Sequence, residues 1–323
     1  IFFFMVAAQF VAMASLLKFS FEIGYNLAAA ISAIIVIIYT AVAGLSGVII
    51  TDMIQFAAII LMIVLICIPC IWADTEQLTK LAELPDEMLY GTTYGVVFIV
   101  ALPSFCSCSV LVRMDIWLRL LAAKSAKVAR KVTLWAAAGM LPFYLIFPLT
   151  GLAILFTMGE GIDPKDVAYH FIDRHTETTG FIYGFAIVGL LSALMSSGDS
   201  FLNIISISAV KDFIKSNAKE PLTKKDYHWM KYITIIFGAL ALVMALVFPN
   251  IVDLMVVSLS TITIFAPLTL FALVKKDAGK YRRAALASLV SGFTVNLCFF
   301  IYGLMYPEQF EAKSSFVPGV IVG

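Results

Sequence analysis

Charge is what this sequence has least of. Aspartate, glutamate, lysine and arginine make up only 13% of its 323 residues, against roughly 25% in an ordinary soluble domain. So few charges cannot coat a water-facing globule, and 62% hydrophobic residues with a mean hydropathy of +0.99 point to lipid instead. The net charge is +1, and no nucleic-acid partner is expected. Paired cysteines are also missing. Cys67, Cys70, Cys106, Cys108 and Cys298 all lie inside apolar runs, and the Cys67/Cys70 pair has no second pair to complete a zinc site or a disulfide framework. No loop is long enough to form a separate soluble domain. Methionine is absent from position 1: the chain opens with Ile1 inside an apolar run, the expected look of an N-terminally truncated fragment with no signal peptide to interpret.

What is present is apolar length. Nine runs, at about 1–17, 26–43, 47–72, 92–112, 132–158, 180–203, 229–248, 251–274 and 282–304, meet the roughly 20 residues a bilayer crossing needs. The expected fold class is an all-α polytopic membrane protein. Basic residues concentrate in three loops: Arg113 to Lys131, Lys211 to Lys231, and Lys275 to Arg283 together hold 17 of the 22 lysines and arginines. These loops should face the cytoplasm. The acidic loops, with Asp74, Glu76, Glu83, Asp86 and Glu87 in one and Glu160, Asp163, Asp166, Asp173 and Glu177 in the other, then lie outside. An odd number of crossings puts the start of the chain inside and its end outside. A multi-pass location in the plasma (inner) membrane follows, with one transmembrane domain over 1–304 and an extracellular or periplasmic tail over 305–323.

The sixth run breaks the apolar pattern. Gly189, Ala193, Ser196, Ser197, Ser200 and Asn203 recur at spacings of three and four, so small and oxygen-bearing residues share one helical face. Polar groups in hydrocarbon are costly and normally face a bundle interior or a wet cavity. The face is therefore a binding site or pathway, or else a seam of close helix packing through small residues. The fourth run carries Pro103 with Ser104, Ser107 and Ser109, and the eighth carries Ser258, Ser260, Thr261, Thr263 and Pro267. Interrupted helices of this kind mark substrate sites in transporters, and a packed proline kink is the simpler alternative. Ser104, Ser107, Ser109, Ser260 and Thr261 are the candidate solute contacts.

Two carboxylates stand out. Asp52, in Thr51-Asp52-Met53-Ile54-Gln55, would cost about 2.5 to 3.5 kcal/mol if ionised at mid-membrane, so water, a cation or hydrogen bonds from Thr51 and Gln55 should compensate it. Hydration at the inner interface is the alternative. Asp199 lies nearer the basic loop and is open to pairing with cytoplasmic lysines. Arg113 either snorkels to the interface or presents a guanidinium to the cavity. In the second case it would select a carboxylated solute.

These residues resemble the sodium:solute symporter family, which includes sodium/proline, sodium/pantothenate and sodium/glucose carriers. The resemblance is carried by Tyr39-Thr40, Gly44-Leu45, Thr51-Asp52 and Gln55 in one block, and by Ala193-Leu-Met-Ser196-Ser197-Gly-Asp199-Ser200 with Lys211-Asp212 in another. Asp115-Ile-Trp-Leu-Arg119, continuing through Ala122-Ala123-Lys124, is similar to the family's cytoplasmic segment. Departures are Leu118, where many members carry glutamine, and Ala43, where a second glycine is usual.

The resemblance implies a leucine-transporter-like fold of two inverted five-helix repeats. Residues 1–73 would be the end of the first repeat, 92–275 the whole second repeat, and 282–304 an additional helix; two core helices would precede the chain. It also implies sodium as the coupling ion, held half by those helices and half by the sixth run. There the backbone carbonyls of Ala193 and Ser196 and the hydroxyl of Ser196 or Ser197 would be ligands. Positions 193, 196 and 197 do share one helical face, and small hard cations prefer oxygen. Asp52 and Asp199 would guide sodium toward the cytoplasm. The expected function is sodium-coupled symport of a small organic solute by alternating access, with no enzymatic activity. No aligned polar residues match those of sugar-transporting members in the fourth run, which disfavours a sugar. A membrane sensor fused to a signalling domain is the rival class. An intramembrane aspartyl protease built on Asp52 and Asp199 is another, although its usual Tyr-Asp and Gly-x-Gly-Asp motifs are absent.

Overall fold

The computed structural model describes residues 2–84, 110–159, 161–162, 166–176, 180–215, 222–306, 308–310 and 314–322. Every regular element among them is helical: α1 (Phe2–Phe21), α2 (Tyr25–Met62), α3 (Ile68–Asp74), α4 (Met114–Leu121), α5 (Ala126–Met158), α6 (Val167–Thr176), α7 (Gly180–Ala209), α8 (Lys224–Val247), α9 (Ile251–Thr263), α10 (Ala266–Val274), α11 (Arg282–Met305) and α12 (Phe316–Val322). Eight stretches of described helix are long and apolar enough to cross a bilayer, and they coincide with eight of the nine expected runs. The protein is an all-α polytopic membrane protein. The expected run at 92–112, with Pro103, Ser104, Ser107 and Ser109, lies almost wholly outside the described residues.

α2 is two helical arms that meet at a kink. Gly44 sits at φ 58° and ψ −164°, a conformation that penalises any residue with a Cβ. On its N-terminal side Val36 lies against Gly198, and Tyr39 reaches Asp199. On its C-terminal side Asp52 reaches Ser196 and Met62 lies against Gly189. The first half therefore runs parallel to α7 and the second half antiparallel. A straight helix would separate residues 39 and 52 by about 20 Å, yet their partners on α7 are one turn, about 5 Å, apart. The chain reverses at Gly44, and both arms clasp α7.

α1 forms the centre. Met5, Val6, Ala7, Ala8, Phe10, Val11, Met13 and Ala14 are all buried, the pattern of a helix apolar on every side and surrounded by others. It packs against α2, α7, α8 and α9, with Ala33, Val36, Leu202, Ala241, Ala245 and Ile262 in one cluster. Gly238 of α8 lets Ile37 of α2 approach so closely that a Cβ there would stand 2.4 Å from its side chain. A second cluster joins Leu16, Met62 and Ile66 to Ala153, Ile154, Phe171 and Ile187 at the acidic-loop end.

The irregularities have local causes. Pro69 cannot donate a backbone hydrogen bond, and the helix widens to π geometry over Ile63–Cys67 just before it. Pro267 opens α10 directly after a two-residue break that ends α9, so the eighth run is interrupted as its composition suggests. α8 begins with a reciprocal Thr223–Asp226 capping box. Three helices were not expected: α4 lies within a basic loop, α6 lies within an acidic loop, and α12 packs back on α11, where Ser315 Oγ donates to Asn296 Oδ1 at 2.9 Å.

Candidate functional site

The polar face of α7 meets both arms of α2. Ser196 Oγ donates to Asp52 Oδ1 at 2.6 Å, a short bond across the interface. One turn on, Tyr39 Oη donates to Asp199 Oδ2 at 2.5 Å and also lies 3.4 Å from the Met195 carbonyl. Ser197 Oγ donates to the Ala193 carbonyl at 3.3 Å. That bond uses the hydroxyl hydrogen and leaves the oxygen lone pairs of both groups side by side on the α7 face. The small residues of this helix matter because they let α2 come close: a Cβ on Gly189 would stand 2.5 Å from Met62 Sδ.

Around these bonds sits more hydrogen-bonding capacity than the protein satisfies. Asp199 is fully buried. Its Oδ1, together with Asn203 Nδ2, Gln55 Oε1 and Thr40 Oγ1, is shielded from solvent and makes no hydrogen bond among the described residues. Buried polar groups are normally paired, so the three oxygens among these atoms, beside the Asn203 amide donor, mark a place able to hold a cation or a proton. Below it a cavity of about 390 Å³ leads from Asp52 past Ser200 and Asn203 to Asp115, Lys211 and Leu222 at the basic-loop end. Asp52 stands half-buried at its head. Among the described residues no three histidine, cysteine, aspartate or glutamate side chains converge as a metal cage.

The structure thus brings together Ala193, Ser196, Ser197, Asp52 and Asp199. It corrects two readings of their surroundings. Thr51 does not compensate Asp52, because its hydroxyl is spent on the Val48 carbonyl at 2.9 Å; the donor comes from α7 instead. Asp199 does not reach for cytoplasmic lysines, because it is sealed inside the bundle with Tyr39. Of the candidate solute contacts, Thr261 and Arg113 have described side chains. Thr261 donates to the Val257 carbonyl of its own helix at 2.8 Å. Ser104, Ser107, Ser109 and the Ser260 side chain lie outside the described residues. Arg113 is held in a two-point pair with Asp115, Nε to Oδ1 at 3.1 Å and Nη2 to Oδ2 at 2.6 Å. Tyr39 and Thr40 were visible in sequence as polar residues within an apolar run, but nothing local showed that they face Asp199 and Asn203.

The model of the sodium:solute symporter family matches residues 1–292. The chain belongs to this family of transporters. Curated relatives include the sodium/proline symporters of Staphylococcus aureus and of its strains USA300 and Newman, each 25% identical over 332 aligned residues. The alignments cover 97% of this chain but 63% of each relative, so the chain spans about two-thirds of their length or slightly less.

Proposed function

We propose that this protein is a sodium-coupled secondary active symporter that imports a small organic solute across the plasma membrane by alternating access. The observation that carries the reading is the Ser196–Asp52 bond, which sets the hydroxyl face of α7 against a carboxylate at the head of a cavity leading to the basic loops. Sodium, as cargo, would take the Ala193 and Ser196 carbonyls and the Ser196 or Ser197 hydroxyl as half of its shell. Neutral oxygens hold a singly charged ion weakly enough for release. Asp52, and Asp199 behind it, would attract the ion as it leaves. The two carboxylates meet adjacent turns of α7, which favours a cation between or beside them. Their separate partners, Ser196 and Tyr39, suit cation handling better than a shared catalytic water.

The inverted-repeat assignment, with 1–73 closing the first repeat, 92–275 forming the second and 282–304 added, belongs to the same proposal. So does the orientation that puts the basic loops inside. The energetics suffice: one charge falling through 100 mV releases about 2.3 kcal/mol, and a tenfold sodium gradient adds about 1.4, enough for roughly a 500-fold solute gradient. Proline, the solute in the relatives' name, heads the candidates, and its carboxylate would bind Arg113 only if Asp115 let go. The test is uptake of a solute library by proteoliposomes under sodium, potassium and proton gradients. Accumulation with sodium alone is the expected result; accumulation under a proton gradient alone, or under none despite measurable solute binding, overturns it.

A further inference from the structure

The buried, unpaired atoms around α7 are not all suited to a cation. Asn203 Nδ2 only donates, whereas sodium needs acceptors, so the symporter reading leaves this amide unused. Asn203 also lines a second cavity, of about 380 Å³, bounded by the elbow of α2 at Gly44, the C-terminal half of α7 and the N-terminal half of α8. Asn203, Ile207 and Leu222 form the wall between this cavity and the one headed by Asp52. The two spaces differ in charge. Asp52 and Asp115 line the first together with Lys211, whereas Lys231 and no acidic side chain among the described residues lines the second.

The floor of the second cavity is rich in donors. Thr40 and Asn203 are 1% and 4% exposed, and neither Thr40 Oγ1 nor Asn203 Nδ2 makes a hydrogen bond among the described residues. A buried N–H without an acceptor is costly, and a hydroxyl donates as readily as it accepts. The Ser206 hydroxyl is already used, donating to the Asn203 backbone carbonyl at 2.9 Å. Lys231 adds an ammonium. The nearest acid in sequence, Asp226, is engaged by the Thr223 cap and lies 3.6 Å from Lys215 Nζ instead. The mouth is different: Val42 is 72% exposed and Tyr227 53%, with Leu222 and Met230 as apolar wall. Val42 ends one membrane-spanning stretch, and Tyr227 and Lys231 lie in the first turns of another. The cavity therefore sits where lipid headgroups lie.

We propose that this cavity binds the phosphate of an anionic phospholipid, with Lys231, the Asn203 amide and the Thr40 hydroxyl as its donors. A phosphate carries negative charge on several acceptor oxygens and so matches three separate donors at once. Basic pockets between transmembrane helices are suited to such headgroups. The apolar wall at Val42, Leu222 and Met230 covers the glycerol and the first acyl carbons. A zwitterionic headgroup brings its own cation toward Lys231 and is disfavoured. Free phosphate shares the three donors but leaves the apolar wall uncovered.

The test is native mass spectrometry of the whole protein, delipidated in detergent and titrated with phosphatidylglycerol, phosphatidylcholine or inorganic phosphate. Phosphatidylglycerol should bind at one saturable site, at least tenfold more tightly than phosphatidylcholine. Lys231→Gln should weaken it about tenfold, the size of one lost hydrogen bond to a charged group, and Lys231→Arg should keep it. Thr40→Val should weaken it by a similar factor through an uncharged change, so a folding defect in one variant does not blunt the test. Lys276→Gln, which removes the same charge from a different basic loop, should have no effect. Equal binding of the two lipids, equal loss in Lys276→Gln and Lys231→Gln, or full binding in both Lys231→Gln and Thr40→Val overturns the site. Inorganic phosphate that binds as tightly as phosphatidylglycerol overturns the lipid as its source. The readout requires no transport and stands or falls apart from the symporter reading.

Discussion

α5 and α7 are both long apolar helices able to cross a membrane, yet they have opposite fates. α5 lies at the rim, with Leu134, Trp135 and Tyr144 more than 60% exposed to what would be lipid. α7 lies inside, with Gly198, Asp199, Leu202 and Asn203 buried. Both carry hydroxyls. Those of α5 turn inward on their own helix: Thr133, Thr150 and Thr157 donate to the carbonyls of Ala129, Ile146 and Ala153. On α7, Ser196 donates across to Asp52, and Asp199 accepts from Tyr39. Hydropathy decides whether a segment spans; the address of its hydrogen bonds decides whether it carries function.

The contrast can be broken most forcefully at glycine. Gly189→Val on α7 should drive a side chain into Met62 and cost about 1–3 kcal/mol by overpacking, whereas Gly151→Val on α5 meets open space and should stay within about 0.5 kcal/mol. Thermal unfolding of both variants in one detergent checks this, and equal losses would erase the distinction between rim and centre. A sharper probe is Ser197→Ala. It should raise the sodium concentration for half-maximal uptake about tenfold, or about 1.4 kcal/mol, and unchanged sodium activation would remove this serine from the site. The smallest effect is expected from a double-mutant cycle on Ser196→Ala and Asp52→Asn. Stability should show a coupling of about 0.6–1.7 kcal/mol, the range of interhelical hydrogen bonds in membranes. Pairing Thr150→Val with Asp52→Asn should show none.

Much of the architecture was legible before any coordinates. Spanning runs are continuous stretches of apolar residues, so eight could be placed closely, and the break before Pro267 was visible because proline acts locally. α4, α6 and α12 were not. Each is short, and α6 and α12 are held by contacts with distant partners, Tyr169 and His175 with α1 and α3, Ser315 with Asn296. The polar stripe of α7 could be read from spacing alone. Its partners could not, because Tyr39 and Asp199 are 160 positions apart and Asp52 and Ser196 are 144 apart. Thr51 was the nearer and more obvious donor for Asp52, and it was the wrong one: a helical threonine finds the carbonyl of its own preceding turn before it finds a side chain one residue away.

The sequence by itself determined that this chain crosses a membrane repeatedly, that one helix carries a face incompatible with lipid, and that basic residues gather in three loops. All three are properties of neighbouring residues, set by the period of the helix and the cost of placing polar groups in hydrocarbon. Only the tertiary structure decided which carboxylate meets which hydroxyl. That choice depends on the reversal at Gly44, which folds the two arms of α2 onto opposite directions of α7 and brings Asp52 and Tyr39 to adjacent turns of one helix.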